Sequence, residues 1–214
     1  MIIKYKEQTL HLHPLRGIYW EEQDLLFLAD LHLGKATHFR KAGISVPSDV
    51  TGDNFANLNV IIEDYNPSRV LFLGDLFHSD LNSTWDLFSV FISSYPDISF
   101  ELVEGNHDII DVKLFEQINI PIYTKPLVIG PFIFSHYPLE GIAEALYNFH
   151  GHIHPGIQLI GHGRQRIKLP CFHFGTCNCV LPAFGKFTGL ANIQAKSADS
   201  VYVIAEGEVI EAKV

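Results

Sequence analysis

Cysteine is scarce in this chain: the three residues Cys171, Cys177 and Cys179 crowd into one late segment. An odd number so placed gives no disulfide framework and reads as reduced thiols on late strands. A structural zinc site there needs a fourth ligand such as His173, and the spacing fits no standard pattern. Cations are also short, with 15 Lys and Arg against 24 Asp and Glu and a formal net charge of −9. That balance repels a polyphosphate backbone unless something local reverses the sign, so bulk nucleic-acid binding is disfavoured. No apolar run approaches the ~18 residues of a membrane span, and the opening Met1-Ile2-Ile3-Lys4-Tyr5-Lys6 has no long apolar core with a small-residue cleavage site. A soluble cytoplasmic chain with no membrane association is the expectation. Internal repeats, low-complexity tracts and linkers are absent as well. At 214 residues and 47% hydrophobic side chains, one domain spanning 1–214 with a sizeable core is expected.

What is present alternates between strand-like and helix-like texture. Leu25-Leu26-Phe27-Leu28-Ala29 and Val70-Leu71-Phe72-Leu73 are continuous apolar runs bounded by polar turns, as in strands covered on both faces. Between them Pro47-Ser48-Asp49 offers a cap, and Phe55, Leu58, Ile61, Ile62 and Tyr65 recur at helical spacing. The pattern repeats: Ser83 or Thr84 caps a stretch carrying Trp85, Phe88, Phe91, Ile92 and Tyr95, and Ile98 to Val103 forms a third strand. A short helix over 111–118 and a strand pair over 127–134 follow. From about 157 the texture becomes short β-like pieces at 166–169, 177–181 and 201–204, separated by Gly, Pro and Asn turns. They suggest a second sheet packed on the first.

Five short blocks punctuate this pattern: Asp30-Leu31-His32, Gly74-Asp75-Leu76-Phe77-His78, Gly105-Asn106-His107-Asp108, Ser135-His136 and Gly151-His152-Ile153-His154. Each follows an apolar, strand-like run. Loops at the carboxyl ends of strands in open α/β sheets are where ligands bind, so one fold can bring all five blocks to one edge. Nitrogen and oxygen ligands without thiolate suit Mn, Fe or Zn better than a pure calcium or magnesium site. A lone histidine is usually structural, and His11, His13, His38, His150, His162 and His173 are read that way.

The ordered blocks resemble the calcineurin-like metallophosphoesterase superfamily. The resemblance implies an α/β fold, a four-layer α-β-β-α sandwich of two mixed sheets flanked by helices. It also implies two divalent metal ions, with Mn2+ the choice here and Fe or Zn the alternatives. By motif position Asp30, His32, Asp75 and His154 would hold one ion, and Asp75, Asn106, His136 and His152 the other, with Asp75 as the bridge. Two ions ~3.5–4 Å apart lower the pKa of a shared water and stabilise in-line displacement, here by attack of a metal-bridging hydroxide on phosphorus. His107, oriented by Asp108, would stabilise the phosphoryl group or protonate the leaving oxygen.

A narrower resemblance runs through Ala29 to Lys35, Phe39-Arg40, Gly43 to Pro47, Gly74 to His78 and Leu181 to Gly189. Together these are similar to the bacterial DNA ligase-associated metallophosphoesterase family, phosphodiesterases linked to DNA repair. Tyr137 departs from it, standing where an acidic residue is expected. The implied partners are a phosphodiester substrate, a nucleic-acid end or nucleotide, and a functional association with an ATP-dependent DNA ligase and a helicase. Lys35 and Arg40 are candidate substrate-phosphate cations, with Arg164 and Arg166 weaker ones. His78 reads equally as a substrate contact or an ordinary loop histidine, and Pro182 to Gly189 as a wall beside the site or a plain connection. Two rival functions stand beside this one: a nucleotide- or lipid-linked pyrophosphatase of UDP-sugar type, and a non-catalytic repair scaffold. A homodimer paired through an exposed late strand is compatible with the residues but not required by them.

Overall fold

Period-two alternation along the apolar runs decides the architecture. Leu26, Leu28, Val70 and Phe72 enter one core cluster, while Leu25, Phe27, Ala29, Leu71 and Leu73 enter another. Successive side chains of a strand point to opposite faces, so these strands are covered on both sides. The computed structural model describes residues 1–35, 50–78, 83–160, 166–186 and 188–213.

The first sheet holds β1 (Ile2–Tyr5), β2 (Gln8–Leu12), β3 (Gly17–Trp20), β4 (Leu25–Leu28), β5 (Arg69–Leu73), β6 (Ser99–Val103) and β7 (Ile122–Tyr123), in that spatial order. β1 to β4 pair antiparallel, and β4 to β7 pair parallel. Parallel neighbours need crossovers. These are α1 (Val50–Tyr65), α2 (Ser83–Ser93) and α3 (Val112–Gln117). Asp111 caps α3 by accepting from Lys113 N at 3.0 Å. The cap expected for α1 at Pro47-Ser48-Asp49 lies outside the described residues.

Leu58, Ile61 and Ile62 of α1, Phe88 and Ile92 of α2 and Phe115 of α3 lay the helices' apolar faces on one side of this sheet. Against its other side packs a second sheet, built from β8 (Leu127–Ile129), β9 (Phe132–Ser135), β10 (Tyr147–His150), β11 (Pro155–Ile160), β12 (Arg166–Phe174), β13 (Asn178–Val180) and β14 (Ala191–Asn192). Its order is β14-β11-β12-β13-β10-β9-β8, with β15 (Ser200–Ala205) and β16 (Glu208–Ala212) branching from β12. β9, β10 and β13 are parallel at its centre, and the other pairs except β11·β14 are antiparallel, so both sheets are mixed. Phe27, Phe132, Phe134, Tyr147, Phe149 and Phe174 fill the space between the sheets, with ring pairs such as Phe132–Phe149 at 4.9 Å and 90°. Each fully buried ring of this kind stabilises the sandwich by about 1.5–3 kcal/mol. Among the described residues, the helices all pack on the first sheet. Ile157, Cys171, Val201 and Val203 form a smaller cluster with Ile193 and Ala195 on the second.

One polar group is built into the first sheet. Glu101 of β6, 4% exposed, accepts from Arg69 Nε at 2.7 Å and Nη2 at 3.2 Å, and from the Tyr123 hydroxyl at 2.9 Å. These bonds satisfy its carboxylate, which a buried ion requires. No helix among the described residues is long and apolar enough to cross a membrane.

Candidate metal centre

The parallel strands end at one edge, and each hands its chain to a block of polar residues. Asp30 follows β4, Asp75 follows β5, Asn106 follows β6, His136 follows β9, and His152 and His154 follow β10. Four of these loop residues, together with His32, have left-handed backbones: Asp30 (φ 56°), His32 (47°), Asp75 (49°), His152 (67°) and His154 (54°). Such a conformation costs a non-glycine residue of order 1–3 kcal/mol and persists only where its surroundings over-determine it. Here they do. Asp30 N donates to Gly74 O at 3.2 Å, His32 N to Asp75 O at 2.9 Å, Leu33 N to Leu76 O at 2.9 Å and His78 N to Leu33 O at 3.0 Å. The loops after β4 and β5 thus continue the parallel ladder beyond the strands.

Two carboxylates are then fixed by amides from neighbouring loops. Asp30 accepts from His152 N at 2.9 and 3.2 Å, and Asp75 Oδ1 accepts from His107 N at 3.0 Å. Around them two groups form, Asp30 with His32 and His154, and Asp75 with His136 and His152; within each, the donor atoms lie within 4.8 Å of one another. His32 Nε2 is 3.3 Å from His154 Nε2, and His154 Nε2 is 3.6 Å from Asp30 Oδ1. In the second group His136 Nε2 lies 3.4 Å from Asp75 Oδ1, 3.2 Å from His152 Nδ1 and 3.1 Å from Asn106 Oδ1. The two oxygens of Asp75 face different groups: Oδ1 the His136 side, and Oδ2 His32 Nε2 at 3.8 Å.

The donor chemistry fits divalent ions. His136 Nδ1–H donates to the Leu73 carbonyl at 3.0 Å, which leaves the lone pair on Nε2. That lone pair faces two oxygens that only accept, a repulsive arrangement unless a cation sits among them. In the first group the His32 and His154 Nε2 atoms meet beside Asp30. Burial, then the charge of Lys35 and the nearby His154, His78 and His107, pushes the His32 imidazole down to about 2, so it stays neutral as a metal ligand must. Burial followed by His136 lowers His152 as well.

The remaining expected residues sit around this centre. The His107 ring is 5.6 Å from His32 and 5.0 Å from His78, and His78 lies 5.3 Å from His32, so His78 belongs to the site's wall. Asp108 takes a different position from the one expected. Its carboxylate accepts from Leu76 N at 2.8 Å, Phe77 N at 3.2 Å and Gly105 N at 2.9 Å. It clamps the two loops together rather than gripping the His107 imidazole. Burial pushes its pKa up to about 6 against the pull of those amides. Lys35 is partly buried, which lowers its pKa, while Asp75 and Asp30 pull it upward. Arg40, Arg164, His38 and His162 lie outside the described residues.

Several histidines outside the blocks have structural partners: His11 with Glu21 at 3.0 Å, His13 with Asp64 at 3.0 Å and His173 with Asp199 at 2.8 Å. His150 is buried, with Nδ1–H donating to Gly151 O at 2.9 Å. Within the expected wall segment, Phe184 N donates to Ala29 O at 2.8 Å and Gly185 N to Asp30 O at 3.1 Å, which sets this stretch against the Asp30 loop. Sequence reading missed what holds it. Arg16 Nη1 donates to Ala183 O at 2.9 Å and Gly185 O at 3.4 Å, a contact between residues 167 and 169 positions apart that no local signal announces.

Comparison with known proteins gives this centre its lineage. Residues 24–178 match the family model for Calcineurin-like phosphoesterase. The chain resembles the crystal structure of Pseudomonas putida nuclease MPE with a TM-score of 0.83 and 28% identity, over 99% of each chain. It also matches Yfce, a phosphoesterase from E. coli, with a TM-score of 0.47 and 12% identity over 87% of this chain and 96% of that one. No curated protein sequence matches. Because the matched span runs from β4 into the second sheet and takes in every one of the five blocks, the chain belongs to the calcineurin-like phosphoesterase family and is a metal-dependent phosphoesterase.

Proposed function

We propose that this phosphoesterase is a dinuclear phosphodiesterase acting on a nucleic-acid-related diester, with a role linked to DNA repair. The observation that carries the reading is Asp75, whose two oxygens face two separate His-containing groups. Asp30, His32, Asp75 and His154 would hold one ion, and Asp75, Asn106, His136 and His152 the other. Mn2+ is the assigned metal, with Fe or Zn as the alternatives for such a donor set. Two ions held there supply charge for the phosphoryl oxygens and a lowered pKa for a shared water.

This chain's own residues do the rest. His107 presents its imidazole beside the centre, where it stabilises the phosphoryl group or passes a proton to the leaving oxygen. Asp108 holds the His107 loop against the Asp75 loop through three amides, so both move as one body. Lys35, within the field of Asp30 and Asp75, meets a non-reacting phosphate oxygen once substrate arrives. His78 and Arg40 complete the substrate contacts in this reading.

Support for a nucleic-acid substrate comes from the 28% identity to the Pseudomonas putida nuclease across 99% of both chains. The net charge of −9 favours an end, a short strand or a nucleotide over a long tracked duplex. The reading extends to a single cytoplasmic domain, a twofold homodimer and a working association with an ATP-dependent DNA ligase and a helicase. The pyrophosphatase alternative is weaker. Between Asp108 and His136 lie only α3, of six residues, and the short strands β7 to β9, with no apolar helical cap for a lipid tail. The scaffold alternative is weaker too, since each ligand slot holds a competent side chain.

The test is hydrolysis of a chromogenic diester and its monoester by metal-stripped protein reconstituted with Mn2+, beside Asp75→Asn and His107→Ala. Diester turnover that needs metal, falls at least about 100-fold in His107→Ala and vanishes in Asp75→Asn with loss of metal is the expected result. Full activity in Asp75→Asn would sink the dinuclear mechanism, and monoester-only turnover would make the protein a phosphatase.

A further inference from the structure

Single exposed apolar residues are ordinary on a protein surface. Here three of them adjoin candidate site residues: Tyr137 beside His136, Ile153 between His152 and His154, and Ile109 after Asp108, at 46%, 37% and 66% exposure. They lie on loops that otherwise carry carboxylates and imidazoles. Among the three, Tyr137 has the most definite geometry. Its ring centroid lies 4.5 Å from that of His152 at 56°, and 4.8 Å from that of His136 at 76°. The ring therefore touches two imidazoles of the second group, while nearly half of the residue remains open to solvent.

The ring is also held in advance. Ser135 Oγ donates to Tyr137 O at 2.6 Å, and the fully buried Asn148 donates to Ser135 Oγ at 2.8 Å. Asn148 in turn accepts from Leu139 N at 3.1 Å, which fixes the chain on the far side of Tyr137. An aromatic ring whose backbone is pinned on both sides loses little freedom when a partner stacks on it.

We infer that Tyr137 is a stacking platform for the nucleobase of the unpaired nucleotide attached to the reacting phosphate. This inference rests on the phosphodiesterase reading above. A phosphate at the centre carries its base one sugar away, and the Tyr137 ring stands one imidazole away from the candidate ligand atoms. The face of the ring carries no donor or acceptor, so the platform takes any of the bases. Stacking on an aromatic side chain is worth about 5- to 150-fold in affinity per base and tolerates sequence for the same reason. It also supplies affinity that an acidic chain cannot draw from tracking a long phosphate backbone.

The test compares two diesters with the same leaving group, thymidine 5′-(p-nitrophenyl phosphate) and its abasic deoxyribose counterpart, on the Mn2+-loaded full chain. Wild type, Tyr137→Phe and Tyr137→Leu are assayed. The ratio of kcat/KM for the two esters is internal to each variant, so partial folding or metal loss cancels. The expected ratio falls about 5- to 150-fold in Tyr137→Leu, through KM, and is restored in Tyr137→Phe, which keeps the aromatic face. The inhibition constant for thymidine monophosphate, relative to inorganic phosphate, rises by the same factor. An unchanged ratio in Tyr137→Leu, with both esters slowed alike, would reduce the ring to a support for His136 and His152 and leave the phosphodiesterase reading standing. If wild type cleaves neither diester, that reading falls, and the platform falls with it.

Discussion

Two glycines with almost the same backbone angle offer a matched perturbation of the centre. Gly74 precedes Asp75 with φ 77°, and Gly207 turns the β15–β16 hairpin with φ 79°. An alanine at either position meets the left-handed penalty, about 1–2 kcal/mol. A Cβ at Gly207 points into open space, whereas at Gly74 it overlaps Nδ1 of His136 and comes within 2.6 Å of Cγ and 2.8 Å of Cβ. His136 cannot retreat cheaply, being 2% exposed and tied to the Leu73 carbonyl. Overpacking of this kind adds about 1–3 kcal/mol. Gly207→Ala should then lower Tm by about 2–8 °C, and Gly74→Ala by roughly 4–20 °C, since 1 kcal/mol is worth about 2–4 °C at this chain length. The relief open to Gly74→Ala is displacement of the His136 ring, which removes Nε2 from its place beside Asp75 and Asn106. Thermal unfolding with and without Mn2+, together with metal content after dialysis, reads both effects. Gly207→Ala keeps the metal and its Tm increment, and Gly74→Ala loses metal at the Asp75–His136–His152 group. Equal Tm values and equal metal content in the two variants would refute the placement of His136 against Gly74.

Two further outcomes follow from contacts away from the centre. Arg69→Met leaves the Glu101 carboxylate buried with only the Tyr123 hydroxyl, so it should cost about 3–5 kcal/mol, whereas the double change Arg69→Met with Glu101→Leu should recover most of that in urea unfolding. Arg16→Met strips the donor from the Ala183 and Gly185 carbonyls, at a cost of about 1–3 kcal/mol. Because Gly185 N donates to Asp30 O, metal affinity at the Asp30–His32–His154 group should weaken as well; unchanged affinity by calorimetry would confine Arg16 to holding the wall.

Much of this molecule could be read before any coordinates, and the boundary of what could be read has a physical cause. β4, β5 and β6 were legible because each is buried on both faces, which writes a continuous apolar run into the sequence. The blocks behind them were legible as candidates because loops at the carboxyl ends of parallel strands gather at one edge. The antiparallel strands β1 to β3 were not, since β1 and β2 are half exposed, with residues such as His11 and Gln8 interrupting the pattern. Arg16 was invisible for a different reason: its partners stand at the other end of the chain.

The backbone of the centre runs against the preference of most side chains. Asp30, His32, Asp75, His152 and His154 sit in a region that favours glycine; aspartate and histidine enter it more readily than most side chains, but five such residues around one centre are far more than that tolerance supplies. Glycine would relieve the strain but would supply no ligand. The chain instead keeps carboxylates and imidazoles in a costly conformation and offsets the cost with the ladder between the β4 and β5 loops and the amides that grip Asp30 and Asp75. Positions where a sequence breaks a local rule and the surroundings over-determine the exception are where function is expected. In this chain five such positions fall within the two groups that Asp75 faces, one with each oxygen.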